Sequence, residues 1–128
     1  MRHRVTSPGT CDALLMTLRD HVEEGRARTA RDATVGVGIP GAIDSRTMRV
    51  KNANATWLNG QTFGKDLEQV LGCPVKVEND ANCFALSEAV DGAAAGRKIV
   101  FGVILGSGVG GGFIINGEPV TGLHHIAG

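Results

Sequence analysis

Between residues 73 and 90 the chain changes its period, and that change narrows the folds open to it. CPVKV at 73–77 is a short β-branched run, whereas Ala81, Phe84, Ala85, Leu86 and Ala89 recur at helical spacing up to Val90. A strand that hands over directly to a helix implies an α/β architecture, with Glu78, Asn79 and Asp80 at the hand-over. Asp80 falls at the helix N-terminus, where backbone N–H groups and the helix dipole stabilise a negative charge and suit an aspartate to accepting a proton. Asn79 and Asn82 offer amides able to hold hydroxyls. A carboxylate among amides at the C-terminal edge of a strand suits a polyol better than a metal or a nucleic acid. Taken by itself, the stretch reads first as an ordinary Asx helix cap.

Glycine is the second constraint. The chain has 19 glycines, gathered at 36–41 and 106–112, so they act as positional devices for close backbone approach and not as a linker. TVGVGIPG at 34–41 reads as a buried strand that ends in a tight Pro-Gly turn where another backbone or a ligand comes close. KIVFGVIL at 98–105 is a nearly continuous apolar strand that enters GSGVGGG at 106–112, and Asn116-Gly117 beyond it predicts a type I′ hairpin turn. A glycine-rich turn between two strands exposes several backbone N–H groups in one concavity fit for phosphate oxygens, with Ser107 adding a hydroxyl. A tight hairpin is the plainer alternative. No helix follows the run, which separates it from the dinucleotide-binding pattern.

Elsewhere, the spacing of Cys11, Leu14, Leu15, Leu18 and Val22 predicts a helix to about Glu24, followed by a polar loop over 25–32. Residues 2–6 and 48–51 read as short strands, the first without a partner. NANATWLNG at 52–60 is a polar loop around the single tryptophan, either a carbohydrate-binding surface or a loop pinned by a half-buried indole. Phe63, Leu67, Val70 and Leu71 mark a helix over 61–71 that Gly72 ends. The small residues of 91–97 make a hinge and a candidate domain boundary.

The balance of 13 Lys+Arg against 13 Asp+Glu, with no basic stripe, argues against a nucleic-acid partner. Apolar runs fall far short of the roughly 20 residues a spanning helix needs, and no signal-peptide segment opens the chain, so neither membrane nor secretion is expected and the location is read as cytoplasmic. Cys11, Cys73 and Cys83 are odd in number and widely spaced, which predicts reduced cysteines without metal-ligand spacing.

Together, GVGIPG at 36–41, VENDAN at 77–82 and LGSGVGGG at 105–112 resemble the ROK family of sugar kinases and repressors, whose fold is the α/β actin-like ATPase (ribonuclease H-like) fold. Within it, residues 51–60 and 88–95 look most like the bacterial fructokinases, also described as mannokinases. The resemblance implies ATP-dependent phosphorylation of a hexose, fructose first, with Asp80 as general base and Asn79 as a sugar ligand. It implies that Gly41, Asn52, Asn54 and Thr56 line the sugar pocket. The run Gly106, Ser107, Gly108, Val109, Gly110, Gly111 and Gly112 becomes the second phosphate loop around ATP; the family often has threonine where Ser107 stands. Mg²⁺ would bridge the phosphates, with its protein ligand in a first phosphate loop, Asp-x-Gly-Gly-Thr, that has no match here.

By the same resemblance the chain looks cut at both ends. Residues 1–95 correspond to a small sugar-side domain lacking its first strand hairpin, and 96–128 to the start of a large domain. HHIAG at 124–128 resembles the run-up to a Gly-Glu-x-Gly-His motif. The ligands of the family's structural zinc lie beyond it, and His124 and His125 receive no role. A chain of this extent is expected to be inactive alone, in a family commonly dimeric. A sugar-sensing repressor of the same family and a non-functional kinase remnant are the alternatives.

Overall fold

In a computed structural model, residues 2–29, 33–106 and 108–122 are described. The elements are helix α1 (Cys11–Thr29), strands β1 (Val35–Ile39), β2 (Ala42–Ile43) and β3 (Val50–Lys51), a one-turn 3-10 helix (Thr56–Leu58), α2 (Phe63–Leu71), β4 (Val75–Asn79), α3 (Asp80–Val90), and strands β5 (Ile99–Leu105), β6 (Val109–Ile115) and β7 (Glu118–Pro119). β1 and β4 pair in parallel from Val35↔Val75 to Ile39↔Asn79, while β2 and β3 form a short antiparallel pair. β5, β6 and β7 make an antiparallel sheet in that order.

α2 shows why local sequence suffices for some elements. Phe63, Leu67 and Leu71 recur every fourth residue on one face, and all three are buried. Gly72 then takes the left-handed conformation, φ 64°, and donates its N–H to the Glu68 carbonyl at 2.9 Å, which ends the helix. That apolar face meets Leu15 of α1, Ile39, Val50, Ala53 and Leu58 in a first core. A second, smaller core joins Ala85 of α3 to Val100 and Ile114.

Several expectations are corrected. α1 runs to Thr29 and takes up the start of the expected 25–32 loop. Gly25 does not stop it, because Arg28 pairs with Glu24 one turn back and Arg26 reaches across to Cys73 Sγ at 2.9 Å and the Leu71 carbonyl at 3.5 Å. Residues 2–6 form no strand. β1 is not the buried strand expected: half-buried Val35 and Val37 alternate with exposed Gly36 and Gly38 and only Ile39 is buried, since among the described residues it pairs with β4 alone. β5 is apolar on both faces, yet only the Val100 and Gly102 side lies against α3; Ile99, Phe101, Val103 and Leu105 face outward. Phe101 stacks on Phe113 of β6 there, ring centroids 4.2 Å apart. No described helix is long and apolar enough to cross a membrane.

Candidate functional site

The hand-over from β4 to α3 is capped by Asn79, not by Asp80. Asn79 keeps extended backbone (φ −62°, ψ 139°), and its Oδ1 accepts the N–H groups of Ala81 at 3.0 Å and Asn82 at 3.1 Å. Its Nδ2 donates to the Gly41 carbonyl at 3.0 Å. Asp80, the first helical residue, is thereby left exposed, with Oδ1 accepting the Ala81 N–H at 2.9 Å.

The Gly41 contact brings a second segment to the same place. Gly41 is buried, and a Cβ there would lie 2.9 Å from both Cα and Cβ of Ala53, so glycine lets the 52–59 loop close on the turn. Asn54 donates its backbone N–H to the Pro40 carbonyl at 3.0 Å. The Pro40-Gly41 turn is thus tied to the Asp80 helix on one side and to the asparagine loop on the other. Asn52, at φ 55°, Asn54 and Thr56 are all exposed on this loop. Trp57 is half-buried against the first core, which pins the loop.

Asn59, which no motif singles out, holds this loop in shape. Its Oδ1 accepts the Ala53 N–H at 2.8 Å and its Nδ2 donates to the Ala53 carbonyl at 3.1 Å, a side chain imitating a strand partner. The sequence signal that could have found it is its position before Gly60, which takes φ 82°.

Asn82 is corrected. It is buried, its Nδ2 donates to Glu78 Oε1 at 3.1 Å, and it packs against β6, out of reach of a hydroxyl in an open site. Cys83 lies beside Gly38 of β1, its Sγ 3.6 Å from where a Cβ on that glycine would stand. Partial burial, then the Glu78 and Asp80 carboxylates, push its thiol up, which opposes a nucleophilic role.

The second glycine run divides in two. Leu105↔Val109 closes the β5–β6 hairpin, and Gly106 donates its N–H to the Gly108 carbonyl at 2.9 Å, so the turn is confined to 106–108. Gly110, Gly111 and Gly112 belong to β6 and pair with Ile104, Val103 and Gly102. Their lack of side chains serves packing: a Cβ at Gly112 would stand 2.8 Å from Asn82 Oδ1, one at Gly102 2.7 Å from Ala85 Cβ, and one at Gly111 2.9 Å from the Phe101 ring. Gly108 meets nothing within 4 Å. The wide concavity expected over 106–112 is therefore a short hairpin tip, because antiparallel pairing resumes at Val109. Ser107, His124 and His125 lie outside the described residues. Among the described residues no group of three or more His, Cys, Asp or Glu gathers as a metal site.

A model described as "ROK family" matches residues 1–128. An N-acetyl-D-glucosamine kinase of Photobacterium profundum is 40% identical over 126 residues, 98% of this chain and 42% of that protein. One from Pectobacterium carotovorum subsp. carotovorum is 44% identical over 126 residues, 98% of this chain and 41% of that protein. Among solved structures, a ROK family glucokinase from Streptomyces griseus, in complex with glucose and AMPPNP, has TM-score 0.85 at 30% identity over 98% of this chain and 40% of that one. A ROK hexokinase from Thermus thermophilus has TM-score 0.81 at 28% identity over 94% and 41%. The chain thus spans about two fifths of the length of these relatives.

Proposed function

The chain belongs to the ROK family, and on that premise we propose that it carries the acceptor side and one phosphate loop of an ATP-dependent hexose kinase. The observation that carries this reading is the Pro40-Gly41 turn, hydrogen-bonded both to the Asn79 cap and to Asn54, so that Asp80 and the loop carrying Asn52, Asn54 and Thr56 flank one turn around the buried Gly41. In this mechanism the loop residues hold sugar hydroxyls, and the second N–H of Asn79 Nδ2 is available to another. Asp80 orients the acceptor hydroxyl and takes its proton as the new O–P bond forms and ADP leaves, a reaction governed chiefly by positioning. At the hairpin tip, where the Gly106 N–H is taken by the Gly108 carbonyl, the backbone N–H of Gly108 is the group offered to phosphate oxygens. Mg²⁺ belongs to the proposal only as the usual companion of ATP; the described residues do not gather to hold it, and no step is routed through it. The division at 95/96, a homodimer and a cytoplasmic location belong to the same proposal.

Relatives named N-acetyl-D-glucosamine kinase, at 40% and 44% identity, make that sugar the first hexose to try, ahead of fructose. The test replaces the matched segment of the Photobacterium profundum kinase with this chain and follows ADP release with N-acetylglucosamine, glucose and fructose. Hexose-dependent turnover, highest in kcat/KM for N-acetylglucosamine, is expected. Asp80→Asn should retain sugar affinity and lose about 10²-fold or more in kcat. A swapped enzyme that turns over no hexose, or an Asp80→Asn variant with normal kcat, sinks the reading.

A further inference from the structure

The backbone that carries Asp80 is held at both ends by one carboxylate. Glu78 Oε1 accepts the Asn79 backbone N–H at 2.7 Å and the Asn82 side-chain Nδ2 at 3.1 Å. Asn82 is 7% exposed, and its buried Oδ1 has no hydrogen-bond partner among the described residues. A buried acceptor without a donor weakens a fold relative to an apolar side chain of similar shape, so stability alone does not account for an asparagine here. What the amide supplies is the bond to Glu78, made from a side chain pressed against the strand opposite: a Cβ on Gly112 would lie 2.8 Å from Asn82 Oδ1 and 3.0 Å from Asn82 Cα. From that contact β6 runs back to Val109, beside Gly108, paired with β5 from Gly102↔Gly112 to Leu105↔Val109. Close-packed backbones of this kind shift as units and transmit strain.

We propose that Glu78 and Asn82 are positioning residues that fix the Asp80 carboxylate and the hairpin end at Gly106 and Gly108 in a single relation, so that the acceptor end and the phosphate end of the site move together. The proposal rests on the reading of Asp80 as base and of the tip as phosphate loop; neither Glu78 nor Asn82 touches substrate. The clamp needs an acceptor at position 78, not a charge. Glu78→Gln therefore preserves it, Glu78→Ala removes it, and Asn82→Ala cuts the link to β6.

The decisive measurement is the amide NMR spectrum of the isotope-labelled chain. In Glu78→Ala and Asn82→Ala, the resonances of Asn79 and Asp80 and those of Gly106 and Gly108 are expected to move together while α1 and α2 stay in place; Glu78→Gln returns both sets to their original positions. Movement confined to Asn79 and Asp80, or failure of glutamine to restore the spectrum, overturns the proposal. If Asn82→Ala does not fold, Glu78→Ala decides, since its half-buried carboxylate is not part of either core. In the segment-swapped kinase, Glu78→Ala should lower kcat by about 10²-fold with the sugar KM little changed, as for a misplaced catalytic group. A raised KM at unchanged kcat overturns it. Joint movement of the resonances beside normal turnover in Asp80→Asn would retire Asp80 as base and leave the coupling standing.

Discussion

Two stretches of this chain are rich in glycine, and they use it differently. At 36–41, the buried Gly41 lets a loop settle on a turn beside the candidate site, and Gly38 leaves room next to the first turn of α3. At 102–112, Gly102 and Gly112 let α3 lie directly on the β5–β6 hairpin, while Gly106 and Gly108 flank its open tip. The same residue type thus shapes a pocket wall in one region and seats a helix in the other. A run of glycine announces close approach without saying what approaches.

The contrast breaks most sharply at Gly102. An added methyl would meet Ala85 Cβ at 2.7 Å and Ala85 Cα at 2.9 Å, helix atoms that cannot rotate away. Gly102→Ala is expected to cost about 3 kcal/mol, the upper range for overpacking a close-packed contact, read from urea unfolding of the chain. A neutral result would mean that α3 rides further from the hairpin. Gly41→Ala comes next, against Ala53 at 2.9 Å and the Lys51 carbonyl at 3.0 Å. We expect a loss of about 2 kcal/mol together with weakened hexose binding, because the displaced loop carries Asn52 and Asn54; titration calorimetry on the segment-swapped kinase would reveal a stability loss without a binding loss, and so separate pocket from scaffold.

Acid should then divide the regions by a different route. The backbone N–H groups of Thr47 and Arg46, with Lys51 beside them, hold the Asp44 carboxyl down to about 2. A carboxyl held below its ordinary value near 3.9 stabilises the fold fully above that value, and the contribution disappears as pH falls from there toward about 2. Amide exchange followed down through that window should therefore show the β2–β3 hairpin loosening, and Asp44→Asn should flatten the response. Smallest is Gly38→Ala, where the nearest atoms stand at 3.6 Å. Ordinary contact distances and the lower entropy of alanine put the change within about 0.5 kcal/mol; a loss as large as that at Gly102 would show β1 to be packed as tightly as the hairpin.

What could be read in advance follows from how local each cause is. The α2 face, its Gly72 terminus and the Asn116-Gly117 turn, with φ 51° and 83°, depend on residues close together in the chain, and the sequence carries them directly. The end of α1 does not, since Arg26 finds its partners at Leu71 and Cys73. The exposed side of β5 reads as buried because nothing in an apolar run says which face a helix will cover. At the candidate site, the junction of strand and helix is legible, but Asn79 and Asp80 are neighbours, and only the cap geometry separates the residue that holds the helix from the one left open. Asn82 and Gly112 are far apart in sequence and meet only through the packing of α3 on β6.

The Asn59 clamp has a consequence for chemical ageing. An asparagine followed by glycine is prone to deamidation, in which the next backbone nitrogen attacks the side-chain amide, and the chain has such pairs at Asn59-Gly60 and Asn116-Gly117. At Asn59 both amide atoms are held by Ala53, and the attacking nitrogen of Gly60 donates to the Val50 carbonyl at 2.8 Å. Folding therefore restrains this pair by hydrogen bonds, although both residues are exposed, whereas the Asn116 side chain has no hydrogen-bond partner among the described residues. Old protein should carry its first new charge on the hairpin. Damage at Asn59, which would set a carboxylate against the Ala53 carbonyl and spring the loop, belongs to molecules that have already opened.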